Sequence, residues 1–182
     1  MIPLRERYSQ EIIPAMQEEF KIQNIHALPR LMKVSCNVGL GRDGIEDAKV
    51  LDYVKHDLAL ITGQMPVITK SRKAVSNFNI RKGIPIGCKV TLRRKMMYSF
   101  VDKLINVVMP RIRDFRGIPP RSFDDAGNFS LGIEEHVIFP EIDIEKVKYT
   151  FGMDITFVIE NGKDNRSFVL LKHFGIPFRE DS

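Results

Sequence analysis

Apolar residues recur at helical spacing in three stretches of the chain, and each stretch predicts an amphipathic helix. The first helix is expected to begin at Pro3, whose ring fixes φ at a helical value, and to bend at Pro14. The second spans residues 46–61, and Gly63 is the signal that ends it. Pro110 ends the third. The apolar positions of these helices are Leu4, Tyr8, Ile12, Met16 and Phe20; Val50, Leu51, Val54, Leu58 and Ile61; and Met97, Phe100, Val101, Leu104, Ile105 and Val108.

Other stretches alternate between apolar and polar residues, which is the period of a β-strand with one buried face. The clearest cover residues 31–38 and 86–94. Shorter strands are predicted at 66–69, 131–139 and 154–160, followed by a short last helix capped by Asp164 or Asn165. The side chains predicted to point inward are Met32, Val34, Cys36, Val38, Cys88, Val90 and Leu92, and those predicted to point outward are Leu31, Lys33, Ser35, Asn37, Lys89, Thr91 and Arg93.

Together these elements predict an α+β fold, in which an antiparallel sheet is covered by helices on one face and exposed to solvent on the other. The chain has 182 residues, of which 43% are hydrophobic, and it is long enough to bury a core. We expect a single domain over residues 1–182, with an N-terminal helix and an exposed basic loop at residues 70–83.

Positive charge is concentrated in the middle of the chain. Half of the 28 lysines and arginines lie between Pro66 and Arg121, where the only acids are Asp102 and Asp114. The net charge of the whole chain is only +5 and its pI is near 9.2, so the basic character is local. Such a stretch repels itself in the folded state, and the usual reason to keep it is a polyanion that neutralises it. Nucleic acid is therefore the first class of partner to consider.

The outward side chains of the two clearest strands form one polar surface if those strands are neighbours. Lys33, Lys89 and Arg93 would supply its charge, and Asn37 and Thr91 its hydrogen-bonding groups. No aromatic residue lies among them, which disfavours stacking on single-stranded bases. It favours a structured RNA that is recognised through its backbone, its shape and its ribose hydroxyls. A solvated sheet face that carries lysine and arginine by chance explains the same residues.

Residues 70–83 follow neither a helical nor a strand period and predict a long exposed loop. The loop has five cations and no acid, and two apolar residues stand among its polar amides. This composition favours a mobile arm that follows a phosphate backbone, because a loop that is only soluble usually mixes charge signs. The five cations are Lys70, Arg72, Lys73, Arg81 and Lys82.

A glycine motif supports a different class of function. Gly39, Gly41 and Gly44 form a G-x-G-x-x-G sequence between a predicted strand and a predicted helix, as in dinucleotide-binding enzymes. The alternative interpretation is therefore an NADP-binding oxidoreductase, with Lys70 and Arg72 near the extra phosphate. The alternating strand before the motif counts against it, since the first strand of a Rossmann fold is buried on both faces. We expect a tight turn here and no cofactor.

Other chemistry finds little support in the sequence. Cys36 and Cys88 lie far apart at inward strand positions, so we expect buried hydrophobic residues in a reducing compartment. The four histidines are scattered without metal-ligand spacing and are expected at the surface. No apolar run approaches the roughly 20 residues of a membrane span. These features predict a soluble, cytoplasmic protein without a catalytic site, a metal or a membrane partner.

Six stretches, in order along nearly the whole chain, resemble the bacterial ribosomal protein L5 family of the large subunit. This resemblance implies a structural protein that binds 5S rRNA and helps to attach it in the central protuberance. It also implies the fold of that family, an antiparallel sheet with helices on one side. The stretches are SCNVGLG (35–41), ITGQMPVITKSRK (61–73), GIPIGCKVTLR (83–93), PRIRDFRG (110–117), FPEID (139–143) and GMDIT (152–156).

The resemblance also implies roles for particular residues. The positions that match the RNA-facing motifs of the family are Asn37, Gln64 and Thr91, and the expected phosphate partners beside them are Lys33, Lys89 and Arg93. The basic loop corresponds to an arm that reaches towards P-site tRNA. The loop residues expected to contact tRNA are Lys70, Arg72, Lys73, Asn77, Arg81 and Lys82.

Further partners implied by the resemblance are large-subunit rRNA, other proteins of the central protuberance, and a small-subunit head protein at an intersubunit bridge. Arg111, Arg113 and Arg116 are candidates for the bridge contact. The acidic turn near Asp124 is a second candidate surface, and the sequence does not choose between them.

Overall fold

The computed structural model describes residues 3–41, 47–76, 80–112, 117–119, 122–163 and 165–179. Its five strands form one antiparallel sheet. The strands are β1 (Arg30–Gly39), β2 (Val67–Lys70), β3 (Pro85–Leu92), β4 (Phe129–Ile133) and β5 (Met153–Glu160). Their order across the sheet is β2-β3-β1-β5-β4. The predicted α+β class with an antiparallel sheet is confirmed.

The helices form where helical spacing predicts them. At the N-terminus, α1 (Leu4–Arg7) continues through a π-helical turn (Tyr8–Ile12) into α2 (Ile13–Phe20). The irregular turn ends two residues before Pro14, whose ring offers no N–H to the helical hydrogen bonds. The remaining helices are α3 (Ala48–Thr62), α4 (Arg94–Lys103), which continues as a π-helical turn (Leu104–Val108), and α5 (Arg166–Phe174).

Several element boundaries differ from the prediction. The strand expected over residues 131–139 begins earlier and ends at Ile133, because a 3-10 turn (His136–Ile138) directs a histidine into the core. β3 ends at Leu92, so Arg93 lies between this strand and α4. Asn165 precedes α5, but its φ is 67° and its side chain makes no capping hydrogen bond. Asp164 lies outside the described residues.

Residue contacts divide the chain into two compact units. The first comprises Met1–Val34, Arg93–Leu131 and Thr156–Ser182, and the second comprises Ser35–Leu92 and Gly132–Ile155. Strands β1, β4 and β5 contribute residues to both units. The single domain expected over residues 1–182 stays a prediction.

Aromatic side chains fill much of the first unit. The ring centroids of Tyr8, Tyr98 and Phe174 lie 5.9 to 6.5 Å apart, which joins the N-terminal helix, α4 and α5. Arg7 Nη2 donates hydrogen bonds of 2.7 and 3.0 Å to the carbonyls of His173 and Phe174. This is the C-terminal end of α5, where the helix dipole favours positive charge. A second cluster contains Phe123, Phe129, Phe157, Phe168 and Phe178.

In the second unit, the apolar stripe of α3 packs on the inward face of β3. Val54 and Leu58 of the helix are fully buried, as are Cys88 and Leu92 of the strand. Cys36 of β1 is also fully buried, and neither cysteine forms a disulfide. Burial raises the pKa of the Cys88 thiol, which keeps it in the unreactive protonated form. The prediction that the cysteines act as buried hydrophobic residues is confirmed.

The alternation of β1 fails at the start of the strand. Val34, Cys36 and Val38 are buried as predicted. Leu31, however, was predicted to point outward and is only 3% exposed, whereas Met32 was predicted inward and is 36% exposed. A simple period of two therefore does not describe the start of β1.

One histidine is buried, against the prediction that all four lie at the surface. The His136 ring has no exposed area and stacks on Phe151, with centroids 3.9 Å apart and an interplanar angle of 7°. Its Nδ1 accepts a hydrogen bond of 3.4 Å from the Phe151 N–H, so the ring proton lies on Nε2, 3.4 Å from Asp57 Oδ2. Both contacts are long, and burial is the dominant effect, which lowers the pKa of His136.

Replacing Gly87 by alanine is expected to destabilise the protein by about 1–3 kcal/mol, the usual cost of overpacking. A Cβ at this position of β3 would overlap the carbonyl oxygen of Val38 on the neighbouring strand, and backbone atoms cannot yield as a flexible side chain can. The measurement is the free energy of unfolding in urea.

Gly39→Ala is the matched control for this prediction. Gly39 ends β1, and an added Cβ there meets no atom within 4 Å. Its free energy of unfolding should stay within about 0.5 kcal/mol of the parent value. Equal values for the two variants would show that β1 and β3 do not approach each other as closely as described.

The stability of the protein is expected to fall as pH drops below about 6.5, the pKa of an unperturbed histidine. Burial lowers the pKa of folded His136, so between the two pKa values the unfolded chain binds a proton that the folded chain does not. Protonation of Nδ1 would also remove the acceptor of the Phe151 N–H. The measurement is the free energy of unfolding at pH 7.5 and at pH 5.5.

His136→Asn separates this effect from those of the other histidines. The amide oxygen can still accept from the Phe151 N–H but does not titrate. The variant should be less stable at pH 7.5, because it loses the stacked ring, yet it should lose less stability than the parent between pH 7.5 and 5.5. An identical pH dependence in both proteins would contradict the role given to His136.

Candidate nucleic-acid interface

Polar side chains of the second unit lie on the sheet face opposite α3. On β3, Lys89 is exposed and Thr91 partly exposed, while the residues on either side of Lys89 are buried. On the neighbouring strand β1, Asn37 is exposed and both its neighbours along the chain are buried. Because the buried residues of both strands face one core, the exposed ones share the opposite face. The outward orientation predicted for these three side chains is confirmed.

Gln64 joins this group through the turn that follows α3. The buried Thr62 hydroxyl donates to the carbonyls of Leu58 at 2.7 Å and Gln64 at 3.1 Å, which fixes the path of the turn. Gln64 Nε2 then donates to the backbone carbonyl of Thr91 at 3.3 Å. An exposed amide group is thereby held beside β3. We call Asn37, Gln64, Lys89 and Thr91 the polar face.

The pairing of β2 with β3 places further groups beside the polar face. Val67 lies opposite Lys89, and Thr69 lies opposite Gly87. Val67 is 70% exposed, so an aliphatic side chain borders the lysine. Thr69 is partly exposed, and its hydroxyl oxygen would lie 3.1 Å from a Cβ added at Gly87. A cation next to aliphatic and hydroxyl groups suits a sugar-phosphate surface, since ribose presents both C–H and O–H groups.

Sequence reasoning missed Val67 and Thr69. Only the strand register brings them next to Lys89 and Gly87, and register between strands cannot be read from a single four-residue strand. Val67 and Thr69 alternate with Ile68, and this alternation is the one sequence signal that indicates that the two residues share a face of the strand.

The two other predicted phosphate partners belong to the first unit. Lys33 is a partly exposed residue of β1. Arg93 is exposed, but it is the residue before α4 rather than part of β3, with an extended backbone at φ −140° and ψ 162°. The strand ends earlier than predicted because the helix begins at Arg94.

The basic loop is exposed, as predicted, but it is not an irregular arm throughout. Lys70 is the last residue of β2, and backbone hydrogen bonds of 2.9 Å join Ser71 to Gly83 and Ile84 at the base. Further out, Val75 and Ile80 exchange backbone hydrogen bonds of 2.8 and 3.1 Å. The strands β2 and β3 therefore continue as a hairpin. Its exposed cations, none of which has an ion-pair partner among the described residues, are Lys70, Arg72, Lys73, Arg81 and Lys82; Asn77 lies outside the described residues.

The two candidate bridge surfaces differ in their chemistry. Arg111 is exposed in a 3-10 turn after α4, whereas Arg113 and Arg116 lie outside the described residues. In the acidic turn, both carboxylate oxygens of Asp124 accept hydrogen bonds of 2.7 to 3.0 Å, from the N–H groups of Ala126 and Asn128 and from the Asn128 side chain. These hydrogen bonds, above all the side chain of Asn128, lower the pKa of Asp124. The charge of Asp124 therefore stabilises the turn itself.

The glycine motif does not form a dinucleotide site. In a Rossmann fold the strands before and after the first helix are parallel neighbours, but here β3 lies between β1 and β2 in an antiparallel sheet. Gly41 has a φ of 58° and provides a turn after β1, and Gly44 lies outside the described residues. The alternative interpretation as an NADP-binding oxidoreductase was wrong.

The described part of the chain also lacks a metal site and a membrane-spanning helix. It contains no group of three His, Cys, Asp or Glu residues that could hold a metal ion. None of its helices is sufficiently long and apolar to span a membrane.

Comparison with protein families matches most of the sequence. Residues 24–81 match the model described as ribosomal protein L5, and residues 85–178 match the model described as the C-terminus of that ribosomal protein family. Together these matches include every residue of the polar face and the exposed cations of the basic loop up to Arg81.

Full-length relatives carry the same family name. The large ribosomal subunit protein uL5 of Halothermothrix orenii is 51% identical over 180 residues, which is 99% of this chain and 100% of the relative. The uL5 protein of Dichelobacter nodosus is 51% identical over 98% of this chain and 99% of its own length. That of Thermotoga maritima is 47% identical over 98% of this chain and 96% of its own length.

These matches confirm the resemblance to the ribosomal protein L5 family that the sequence motifs indicate. They also confirm the predictions that the protein is not an enzyme and that it is located in the cytoplasmic ribosome. The chain belongs to the ribosomal protein L5 family and is a structural component of the large ribosomal subunit.

Proposed function

We propose that the chain binds 5S rRNA through the polar face and helps to attach it in the central protuberance of the large subunit. The observation that carries this proposal is the position of Asn37, Gln64, Lys89 and Thr91. All four lie in the second unit, and the strands that carry three of them are buried on the opposite face. The covered face supplies stability, which leaves the uncovered face free to bind.

The groups of the polar face suit the minor-groove side of a structured RNA. Lys89 provides a point charge for phosphate, while the amides of Asn37 and Gln64 and the hydroxyl of Thr91 can exchange hydrogen bonds with ribose hydroxyls. Gln64 Nε2 already contacts the Thr91 carbonyl, so its amide oxygen remains for RNA. Lys33 and Arg93 are proposed as additional phosphate partners.

The basic loop is proposed to contact P-site tRNA. Backbone hydrogen bonds at its base and between Val75 and Ile80 continue the hairpin beyond the ends of β2 and β3, and its described residues contain no acid that would repel a phosphate. Because these cations lie on the hairpin and not on the polar face, they are suited to bind the phosphates of a second RNA.

Arg111, with Arg113 and Arg116, is proposed as the contact with the small-subunit head protein at an intersubunit bridge. The internal hydrogen bonds of Asp124 support this choice over the acidic turn, because a carboxylate that is already satisfied gains little from a new partner. Large-subunit rRNA and neighbouring proteins of the central protuberance are proposed as further partners.

Lys89→Gln is expected to weaken 5S rRNA binding several-fold at moderate salt. Loss of one phosphate contact should also reduce the slope of log affinity against log salt concentration by about 0.7–0.9. The melting temperature should hardly change, because Lys89 is exposed and has no ion-pair partner among the described residues. A filter-binding titration at several salt concentrations measures affinity and slope together.

Lys49→Gln is the matched control, since Lys49 is an exposed lysine of the same unit on the helix that covers the opposite face. It changes the net charge equally and should leave affinity and slope unchanged. Asn37→Ala should lower affinity while keeping the slope of the parent, because a neutral contact releases no counterion. Equal losses in the two lysine variants would remove the support for the polar face.

Replacing residues 72–82 by a short Gly-Ser link is expected to preserve 5S rRNA binding and to release P-site tRNA a few-fold faster from reconstituted ribosomes. The hydrogen bonds between Ser71 and Gly83 lie outside the replaced segment, so β2 and β3 should still pair. The two readouts are the 5S rRNA affinity of the protein and the dissociation rate of tRNA.

A loop of unchanged length, with Arg72, Lys73, Arg81 and Lys82 replaced by glutamine, tests charge alone. It should release tRNA as fast as the shortened loop. Lost 5S rRNA binding in either variant would place the loop in the primary site, and a parental tRNA rate in both would reject its proposed role.

A further inference from the structure

One edge of the sheet is open in the second unit. β2 is the terminal strand, and no strand of the described residues pairs with its outer side. Backbone N–H and C=O groups alternate in direction along a strand, so half of those in β2 face away from β3. Unpaired groups at the edge of a sheet are a template for pairing with another chain.

Hydrogen bonds just after β2 show which of its backbone groups face outward. The Ser71 N–H donates to the carbonyl of Ile84, and the Ser71 carbonyl accepts from the Gly83 N–H, both at 2.9 Å. Ser71 therefore faces β3, whereas the N–H and C=O groups of Ile68 and Lys70 face outward. The one irregularity in the register is an extra residue in β3, which does not interrupt the alternation along β2. Among the described residues, no contact outside the sheet occupies these four groups.

Exposed aliphatic side chains lie along the same strand. Val67 is 70% exposed, and Met65, two residues before it, is 66% exposed. A single exposed aliphatic residue is ordinary on a protein surface. Here the aliphatic groups stand beside unpaired backbone groups, and an added strand would bury the first while it pairs the second. We call the outward backbone groups of Ile68 and Lys70, together with Val67, the open edge.

The segment that forms the open edge carries only positive charge. The sequence has no acid between Asp57 and Asp102. Lys70 ends β2, Lys89 lies opposite Val67 on β3, and both lysines are exposed. A partner strand with acidic side chains would therefore gain charge attraction in addition to backbone hydrogen bonds.

Two other occupants fit the open edge less well. A second copy of this chain that paired through its own β2 would bring Lys70 and Lys89 close to the same residues, and like charges repel. Lysine on an edge strand is a common protection against such self-pairing. RNA presents phosphate oxygens, which accept hydrogen bonds, so it could satisfy the outward N–H groups but not the outward carbonyls.

We propose that the open edge binds an extended acidic segment of a partner protein, which adds a strand beside β2 to the five-stranded sheet. The backbones of Ile68 and Lys70 supply the hydrogen bonds, Val67 supplies the apolar contact, and the side chain of Lys70 supplies the charge. This inference does not depend on the proposed function, because its ligand is a peptide and its hydrogen bonds use backbone groups to which no RNA contact is assigned.

The test is a titration of the ¹⁵N-labelled full chain with the peptide acetyl-Glu-Val-Glu-Val-Glu-Val-amide, followed by nuclear magnetic resonance. The backbone amide signals of Ile68 and Lys70 should shift, and at saturation their hydrogen exchange should slow several-fold, because both N–H groups become hydrogen-bonded. Unchanged exchange at both residues in the presence of saturating peptide would overturn the proposal, as would a peptide that does not bind.

Two methylated versions of the peptide separate strand pairing from charge attraction alone. One carries N-methyl groups on its three valines and the other on its three glutamates, so both keep the charge of the parent peptide. Only alternate residues of a strand face its neighbour, so one version should lose binding and the other should keep it. Equal behaviour of the two versions, whether both bind or both fail, would reject strand pairing.

Protein variants test each part of the open edge. Ile68→Pro removes one outward N–H but no bond to β3, and it should weaken peptide binding several-fold. Val67→Thr keeps the shape of valine and should also weaken binding, so it provides the test if Ile68→Pro unfolds. Lys70→Gln should weaken binding and make it less sensitive to salt, whereas Lys49→Gln, which changes an exposed lysine of α3, should bind as the parent does.

Parental affinity in both Val67→Thr and Lys70→Gln, or an equal loss in Lys49→Gln, would reject the open edge as the site of binding. The other two occupants are tested by the same exchange measurement without peptide. Slower exchange of the Ile68 and Lys70 amides in concentrated protein alone would assign the edge to a second copy of the chain. Slower exchange of these amides with 5S rRNA would assign it to RNA, and either result would overturn the proposal of a protein partner.

Discussion

The burial of one face of β1 and β3 is the constraint on which the rest of the second unit depends. Cys36, Val38, Cys88 and Val90 are removed from water, with α3 packed on β3, and this burial supplies the largest favourable term for folding. Since side chains alternate along a strand, burial of these four fixes Asn37, Lys89 and Thr91 on the other face. The position of the proposed RNA-binding groups follows from the packing of the core.

The same separation explains why binding residues can be changed without unfolding the protein. Lys89 and Gln64 are exposed, whereas Gly87 lies where a Cβ would overlap a backbone carbonyl and the buried His136 ring stacks on Phe151. Substitutions at Lys89 and Gln64 are therefore expected to alter RNA affinity, and substitutions at Gly87 and His136 to alter stability.

The periodic patterns of the sequence predicted which side chains of the strands and helices are buried. The inward positions of both cysteines and the outward positions of Lys89 and Thr91 follow from a period of two. Helix α4 buries the apolar positions of its stripe, such as Phe100 and Val101, as the helical spacing predicts. Gln64, by contrast, was expected to bind RNA only because of the family resemblance, since no periodic pattern includes it.

Contacts between distant segments account for what the sequence did not reveal. His136 is buried because its ring stacks on Phe151 beside α3, and nothing in the neighbouring residues indicates this. Leu31 of β1 is buried, although a period of two predicts an outward position for it. Val75 and Ile80 extend the β2-β3 hairpin through backbone hydrogen bonds, which any residue other than proline can donate and which leave little trace in composition.

The central claim is that RNA binds the sheet face opposite α3, and nuclear magnetic resonance tests it most directly. The side-chain amide signals of Asn37 and Gln64, assigned through single substitutions, would be followed during titration of the ¹⁵N-labelled protein with 5S rRNA. The account predicts that both signals shift, together with the backbone amides of Lys89 and Thr91, while His56 and Leu60 on the exposed side of α3 do not. Shifts at His56 and Leu60 with unchanged signals from Asn37 and Gln64 would contradict it.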